Sequence, residues 1–150
     1  MIASDAPIEA LTFDLQGETF ALEAGLVQEV LDLLPETPVP GARAFVGAVI
    51  NFRGRVIPLV DLRLAFDMSA GAPTIDSRIV VIEYPLDGEQ ALIGLRADKV
   101  HEVTTITRDT TEQAPRVGMS WRPDFIRLLA RRHGDLIVIP DLEQIFATQG

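Results

Sequence analysis

Short apolar runs with a period of two recur along this chain, each bounded by turn or charged residues, as half-buried β-strands read. Leu11-Thr12-Phe13-Asp14-Leu15 alternates, Gly17-Glu18 supplies a turn, and Thr19-Phe20-Ala21-Leu22-Glu23 follows. Residues 56–60, 79–82, 91–95 and 136–139 are short β-branched runs of the same kind. Asp87-Gly88 is a hairpin signal, because both residues tolerate the positive φ of a tight turn. One window reads differently. From Arg122 to Arg132, the stripe Phe125, Ile126, Leu128 and Leu129 lies opposite Arg127 and Arg131 and predicts an amphipathic helix. Many short strands and few helices predict an all-β barrel or sandwich.

The pattern also repeats. Residues 45–66 align without a gap on residues 125–146, an offset of 80, with Phe45/Phe125, Gly54/Gly134, Ile57/Ile137, Asp61/Asp141, Leu62/Leu142 and Phe66/Phe146 identical. Val27-Gln28-Glu29-Val30 matches Val100-His101-Glu102-Val103 at an offset of 73. The second copy therefore carries seven extra residues, expected in the polar stretch from Thr104 to Pro123 as a long surface loop. Chance similarity between two strand-turn-helix units is the alternative. Duplication predicts two similar lobes related by a pseudo-twofold axis, roughly residues 11–24 plus 91–146 and residues 25–90. Residues 1–8 read as a flexible N-terminus.

Both copies end in an apolar strand followed by Asp-Leu and a short helix. Asp141 with Gln144 has the spacing of a capping box, in which the carboxylate accepts backbone N–H groups and the Gln reaches back. Asp61 has only the first half of that pattern, with Leu64 in the fourth position. Capping alone sets an expected loss of about 0.5–2 kcal/mol for Asp→Ala at either site.

Composition narrows the function. A formal charge of −9, with Lys99 the only lysine against twelve arginines, disfavours nucleic acid and anionic lipid and favours a protein partner. The chain has no cysteine, hence no disulfide or thiolate chemistry. Its N-terminus shows no basic and apolar leader pattern, and the longest uncharged apolar stretch, residues 44–52, is too short to span a bilayer. A cytoplasmic location is expected.

Candidate chemistry is sparse. Asp61 and Asp141 in duplicated β-lobes suggest the paired carboxylates of an aspartic protease, which would make a small β-barrel hydrolase. The residues that follow them, Leu62-Arg63 and Leu142-Glu143, suit helix caps instead of a tight Asp-Thr/Ser-Gly turn. His101 and His133 have no second ligand at metal spacing, Ser4, Ser69, Ser77 and Ser120 lack a nucleophile elbow, and no glycine-rich phosphate loop follows a strand. No catalytic residue, metal or cofactor is expected. Arg53, just before Gly54 at the mouth of a strand, can instead present its guanidinium fork to a partner's carboxylate or carbonyls.

The segment from Phe45 to Arg63, Phe45-Val46-Gly47-Ala48-Val49-Ile50-Asn51-Phe52-Arg53-Gly54-Arg55-Val56-Ile57-Pro58-Leu59-Val60-Asp61-Leu62-Arg63, resembles the signature of CheW-like domains. So do Val27-Gln28-Glu29-Val30 with Val39-Pro40 ahead of it, the run from Ile93 to Val103, and the closing Leu136-Ile137-Val138-Ile139-Pro140-Asp141-Leu142. The resemblance covers residues 9–147. It departs at Gly47-Ala48, where the family often has a basic residue and then Gly, with Arg43 or Arg55 as substitutes, and at the basic run Arg131-Arg132-His133.

That resemblance implies one domain of two intertwined SH3-like five-stranded β-barrels. It implies a non-catalytic adaptor that couples chemoreceptors to the histidine kinase CheA in a bacterial chemosensory array beneath the inner membrane. The partners implied are the cytoplasmic hairpin tip of a chemoreceptor, the regulatory domain of the kinase at the two barrel ends, and other CheW-like proteins. Arg53 with Glu29, Val27 and Asn51 falls at or near the receptor-binding groove. The length fits a stand-alone adaptor, and a coupler for pilus motility or gene regulation is the other reading within the family.

Overall fold

The computed structural model describes residues 6–69, 71–113 and 121–149. Two six-stranded sheets curl into barrels. The first is built from β1 (Ile8–Leu15), β2 (Glu18–Glu23), β9 (Lys99–Ile106), β10 (Thr111–Glu112), β11 (Ile126–Arg132) and β12 (Asp135–Pro140), in the order β10-β11-β12-β2-β1-β9. The second is built from β3 (Val27–Leu31), β4 (Thr37–Pro38), β5 (Ala48–Phe52), β6 (Arg55–Val60), β7 (Arg78–Leu86) and β8 (Glu89–Ala97), in the order β3-β7-β8-β6-β5-β4. Each therefore has five full strands and a two-residue edge piece. A short helix follows β6, α1 (Leu62–Ala65), and another follows β12, α2 (Leu142–Gln149).

The two orders are the same once the chain is circularly permuted. β9, β10, β11, β12 and α2 correspond to β3, β4, β5, β6 and α1, and the N-terminal hairpin β1–β2 corresponds to β7–β8. The single parallel pairing in each sheet obeys the same relation, Leu59 opposite Gly94 in β6–β8 and Ile137 opposite Thr19 in β12–β2. So does a bulge. One extra residue is inserted after Val27 on β3 and after Val100 on β9, positions 73 apart.

Three sequence expectations change. First, β8 belongs to the second sheet, hydrogen-bonded between β7 and β6, so the lobes are residues 8–23 with 99–149 and residues 24–97. The Asp87-Gly88 hairpin keeps β8 beside β7, and its apolar run alone does not say which sheet receives it. Second, Arg122 to Arg132 is no helix. Pro123–Phe125 forms one 3₁₀ turn and Ile126–Arg132 is strand β11, antiparallel to β12. A register shift between Ile126 and Leu128 skips one position, so the buried residues of a bulged strand mimic helical spacing. Third, Ile8, expected within a flexible N-terminus of residues 1–8, is buried in β1 opposite Ile106; residues 1–5 of that segment lie outside the described residues. Residues 114–120 with Ser120, within the stretch expected as a long surface loop, also lie outside the described residues, as does Ser4.

Four hairpins close on the same backbone geometry. Gln16-Gly17, Arg53-Gly54, Asp87-Gly88 and His133-Gly134 have φ values of 53 and 81, 53 and 82, 52 and 82, and 53 and 83 degrees. Positive φ at both central residues is the type I′ turn, whose twist matches that of the strands it joins. The first of these turns lies one residue earlier than the expected Gly17-Glu18.

Apolar side chains form three cores. Ile50, Ile57, Leu59, Ile79 and Val81 fill the second barrel, and Ala21, Ile106, Ala130, Ile137 and Ile139 the first. The largest core lies between them and takes residues from both sheets. Here the lobes exchange aromatics. Phe66, just past α1, packs against Phe20 at 5.1 Å and Phe125 at 6.3 Å of the other lobe. Phe146 on α2 crosses the opposite way, to Phe45 at 6.2 Å and Tyr84 at 5.4 Å. The linkage is therefore reciprocal.

Candidate functional site

Asn51 and Gly54 set the local geometry around Arg53. The Asn51 side-chain carbonyl accepts a hydrogen bond from the Gly54 N–H at 3.0 Å, which fixes the turn between β5 and β6. Arg53 occupies the left-handed position of that turn and projects from its tip, with its guanidinium 5.2 Å from the centre of the Phe52 ring. It forms an ion pair with Glu29 on β3. β3 is one edge strand of the second sheet, whereas the β5–β6 hairpin lies at the far side beside β4. The pair thus spans the seam where the curled sheet meets itself. Arg53 remains 71% exposed and Glu29 32% exposed.

Arg53, Glu29 and Asn51 share this surface. Val27 stands before the bulge on β3, half buried against the shared core. The sequence reading passed over Val30 and Val103, both exposed apolar residues on edge strands, which line one cleft with Leu11, Arg78 and His101. They are equivalent positions of the repeat, and the recurrence of a valine at both was the one signal the sequence carried. In the same cleft His101 Nε2 lies 2.9 Å from Asp14 Oδ2.

The two repeat aspartates occupy different surroundings and separate clefts. Asp61 Oδ1 accepts from the backbone N–H of Arg63 at 3.1 Å and from its Nε at 2.9 Å, while Oδ2 accepts from Nη2 at 2.8 Å. Arg63 reaches on to Asp98 Oδ1 at 3.2 Å, and its side chain is only 7% exposed. Its hydrogen bonds to Asp61 outweigh burial and hold its pKa above the usual arginine value. Asp141 Oδ1 accepts only the Gln144 backbone N–H, at 3.0 Å. The expected capping box is half formed, because the Asp141 N–H already donates to the Phe125 carbonyl at 2.8 Å and leaves Gln144 nothing to reach back to. Asp61 N–H makes the equivalent bond to Phe45 at 3.1 Å. A carboxylate locked to a buried guanidinium and one on another cleft share no proton, and a hydrolase built on the pair has no chemistry here.

Two curled sheets joined by a permuted repeat are the architecture to be matched. Residues 9–150 match the CheW-like domain. The chain belongs to that family. It is 28% identical over 141 residues to the chemotaxis protein CheW of Rhizobium meliloti, covering 94% of this chain and 88% of that one. It is 29% identical to the CheW of Thermotoga maritima, covering 91% and 86%. A crystal structure of the scaffolding protein TtCheW from Thermoanaerobacter tengcongensis superposes with a TM-score of 0.83 at 30% identity, covering 97% of this chain and 96% of that one. CheW-like proteins are non-catalytic adaptors of chemotaxis signalling, and this chain is one of them. No helix among the described residues is long and apolar enough to cross a membrane.

Proposed function

We propose that this chain joins a chemoreceptor to a CheA-type histidine kinase at an array beneath the inner membrane, with the receptor's cytoplasmic hairpin tip seated beside Arg53. The coupling role comes with the family, and the exposed Arg53–Glu29 pair supports the location. An ion pair this open contributes about 0–1 kcal/mol to folding, so its guanidinium is free to turn its remaining donors onto a partner. Glu29 holds that fork in place, Asn51 fixes the turn beneath it, and Val27 anchors the strand that carries Glu29. The kinase regulatory domain takes the two barrel ends, which leaves the seam to the receptor.

The test is a titration of Arg53→Ala with a receptor hairpin fragment and, separately, with the kinase regulatory domain. Receptor affinity falls by about 1.5–3 kcal/mol, the range for a charge-assisted hydrogen bond. Arg53→Lys restores little, since an ammonium lacks the planar fork. Kinase affinity is unchanged in both variants. Wild-type receptor affinity in a folded Arg53→Ala protein would remove the residue from the site.

A further inference from the structure

The first sheet has a seam at the position equivalent to that of Arg53 and Glu29, and it is built differently. β9 is an edge strand, paired with β1 on one side and, among the described residues, with no strand on the other. Its outer row of backbone N–H and C=O groups is a template for another strand. Across a cleft stands the end of β11 with the His133-Gly134 turn. Val103, Thr105 and Thr107 line one wall, and Arg131, Arg132 and His133 line the other.

No acidic side chain is among the described residues lining this cleft. Two carboxylates sit at its rim. Glu9 accepts from the Thr105 hydroxyl at 2.6 Å, and Glu112 accepts from Arg131 at 3.1 Å. Arg132 makes no ion pair among the described residues. Arg131 already shares its charge with Glu112, so Arg132 is the unpaired guanidinium on the wall opposite the open edge. In a chain of net charge −9 it marks a local complement for an anionic group.

We propose that this seam receives an extended acidic segment of a partner protein as an added strand along β9. Its backbone completes the open edge, and its carboxylates reach Arg132 and Arg131. Main-chain pairing supplies the affinity of such a contact and alternate side chains its selectivity. The receptor reading concerns the other sheet's seam, and this proposal stands without it.

The probe is a short, end-capped peptide of alternating glutamate and valine, titrated into the full chain and followed by backbone amide shifts. Shifts centred on β9 and the end of β11 are expected, with affinity falling as salt is raised. Arg132→Ala weakens binding roughly tenfold. A peptide with lysine replacing glutamate does not bind, and methylation of alternate backbone nitrogens abolishes binding. The Arg53→Ala protein binds the peptide as wild type does. Equal affinity in Arg132→Ala, equal binding of the lysine peptide, or shifts that map elsewhere would each overturn the proposal. So would tolerance of backbone methylation, or complete displacement of the peptide by millimolar inorganic phosphate, which would mark a small-anion site.

Discussion

In the second lobe Arg53 and Glu29 close the seam of the sheet with an ion pair. In the first lobe the equivalent positions are His133 and Glu102, and no ion pair joins them among the described residues. Everything beneath those positions is kept. The type I′ turn has the same φ values to within a degree, the bulge follows Val27 and Val100 alike, and the backbone bond donated by Asp61 to Phe45 recurs from Asp141 to Phe125. The lobes share what the barrel needs to close and differ in the side chains that face outward. Pseudo-symmetry here belongs to the backbone. A partner meeting one seam finds a tethered guanidinium, and a partner meeting the other finds Arg132, unpaired among the described residues, beside Arg131 and its Glu112.

The aromatic exchange is the strongest place to break the equivalence. Phe66 is 1% exposed and touches aromatic rings of the other lobe on several sides, whereas Phe146 is only half buried. Phe66→Ala should cost about 3–5 kcal/mol in urea unfolding, the range for a buried ring. Phe146→Ala should cost about 2 kcal/mol, since part of its ring is already wet. Both proteins should still unfold in one transition, because the largest core belongs to both lobes. Two separated transitions in Phe66→Ala would show that the barrels are stable independently and that the exchange is incidental.

The repeat aspartates sharpen the comparison at the next scale. Asp61→Ala strands a guanidinium that is nearly inaccessible to water, a loss of about 3–5 kcal/mol where a buried pair is broken. Arg63 keeps Asp98, so the loss should fall at the lower end, about 3 kcal/mol. Asp141→Ala removes a half-exposed cap and should cost about 1 kcal/mol. Equal losses would mean that Arg63 contributes nothing beyond the cap.

That inequality also shows where the sequence stopped being informative. The Asp-Leu repeat with its short helix is local chemistry, set by residues adjacent in the chain, and it was legible. The partnership of Arg63 with Asp98 joins residues 35 apart whose meeting depends on how the two sheets pack. Strand identity was legible for the same local reason, and so was the duplication. The sheet that receives β8 was not, because Ala91–Leu95 is equally apolar in either barrel. Nor was β11, because one bulge turns an alternating pattern into a helical one. At the site, Arg53 was marked by its glycine and Glu29 by the family resemblance. Val103 was overlooked because exposure of an apolar edge residue is a property of the assembled sheet.

The smallest expected effect separates the turn from the interaction. Arg53 and His133 each hold a φ of 53 degrees, a conformation that Asn tolerates best among residues with a Cβ. His133→Asn should therefore raise stability by about 0.5 kcal/mol. Arg53→Asn should gain the same turn preference and lose the exposed pair with Glu29, worth about 0–1 kcal/mol, so its stability should stay within about 0.5 kcal/mol of wild type. Receptor binding should divide them cleanly. His133→Asn leaves it intact, and Arg53→Asn lowers it as far as Arg53→Ala does, because neither replacement carries the fork. Paired unfolding curves and receptor titrations on the two variants measure both quantities. If Arg53→Asn were destabilised by more than about 1 kcal/mol, beyond what an exposed pair supplies, the Arg53–Glu29 contact would be a latch for the sheet, and any lost receptor affinity would follow from a loosened barrel.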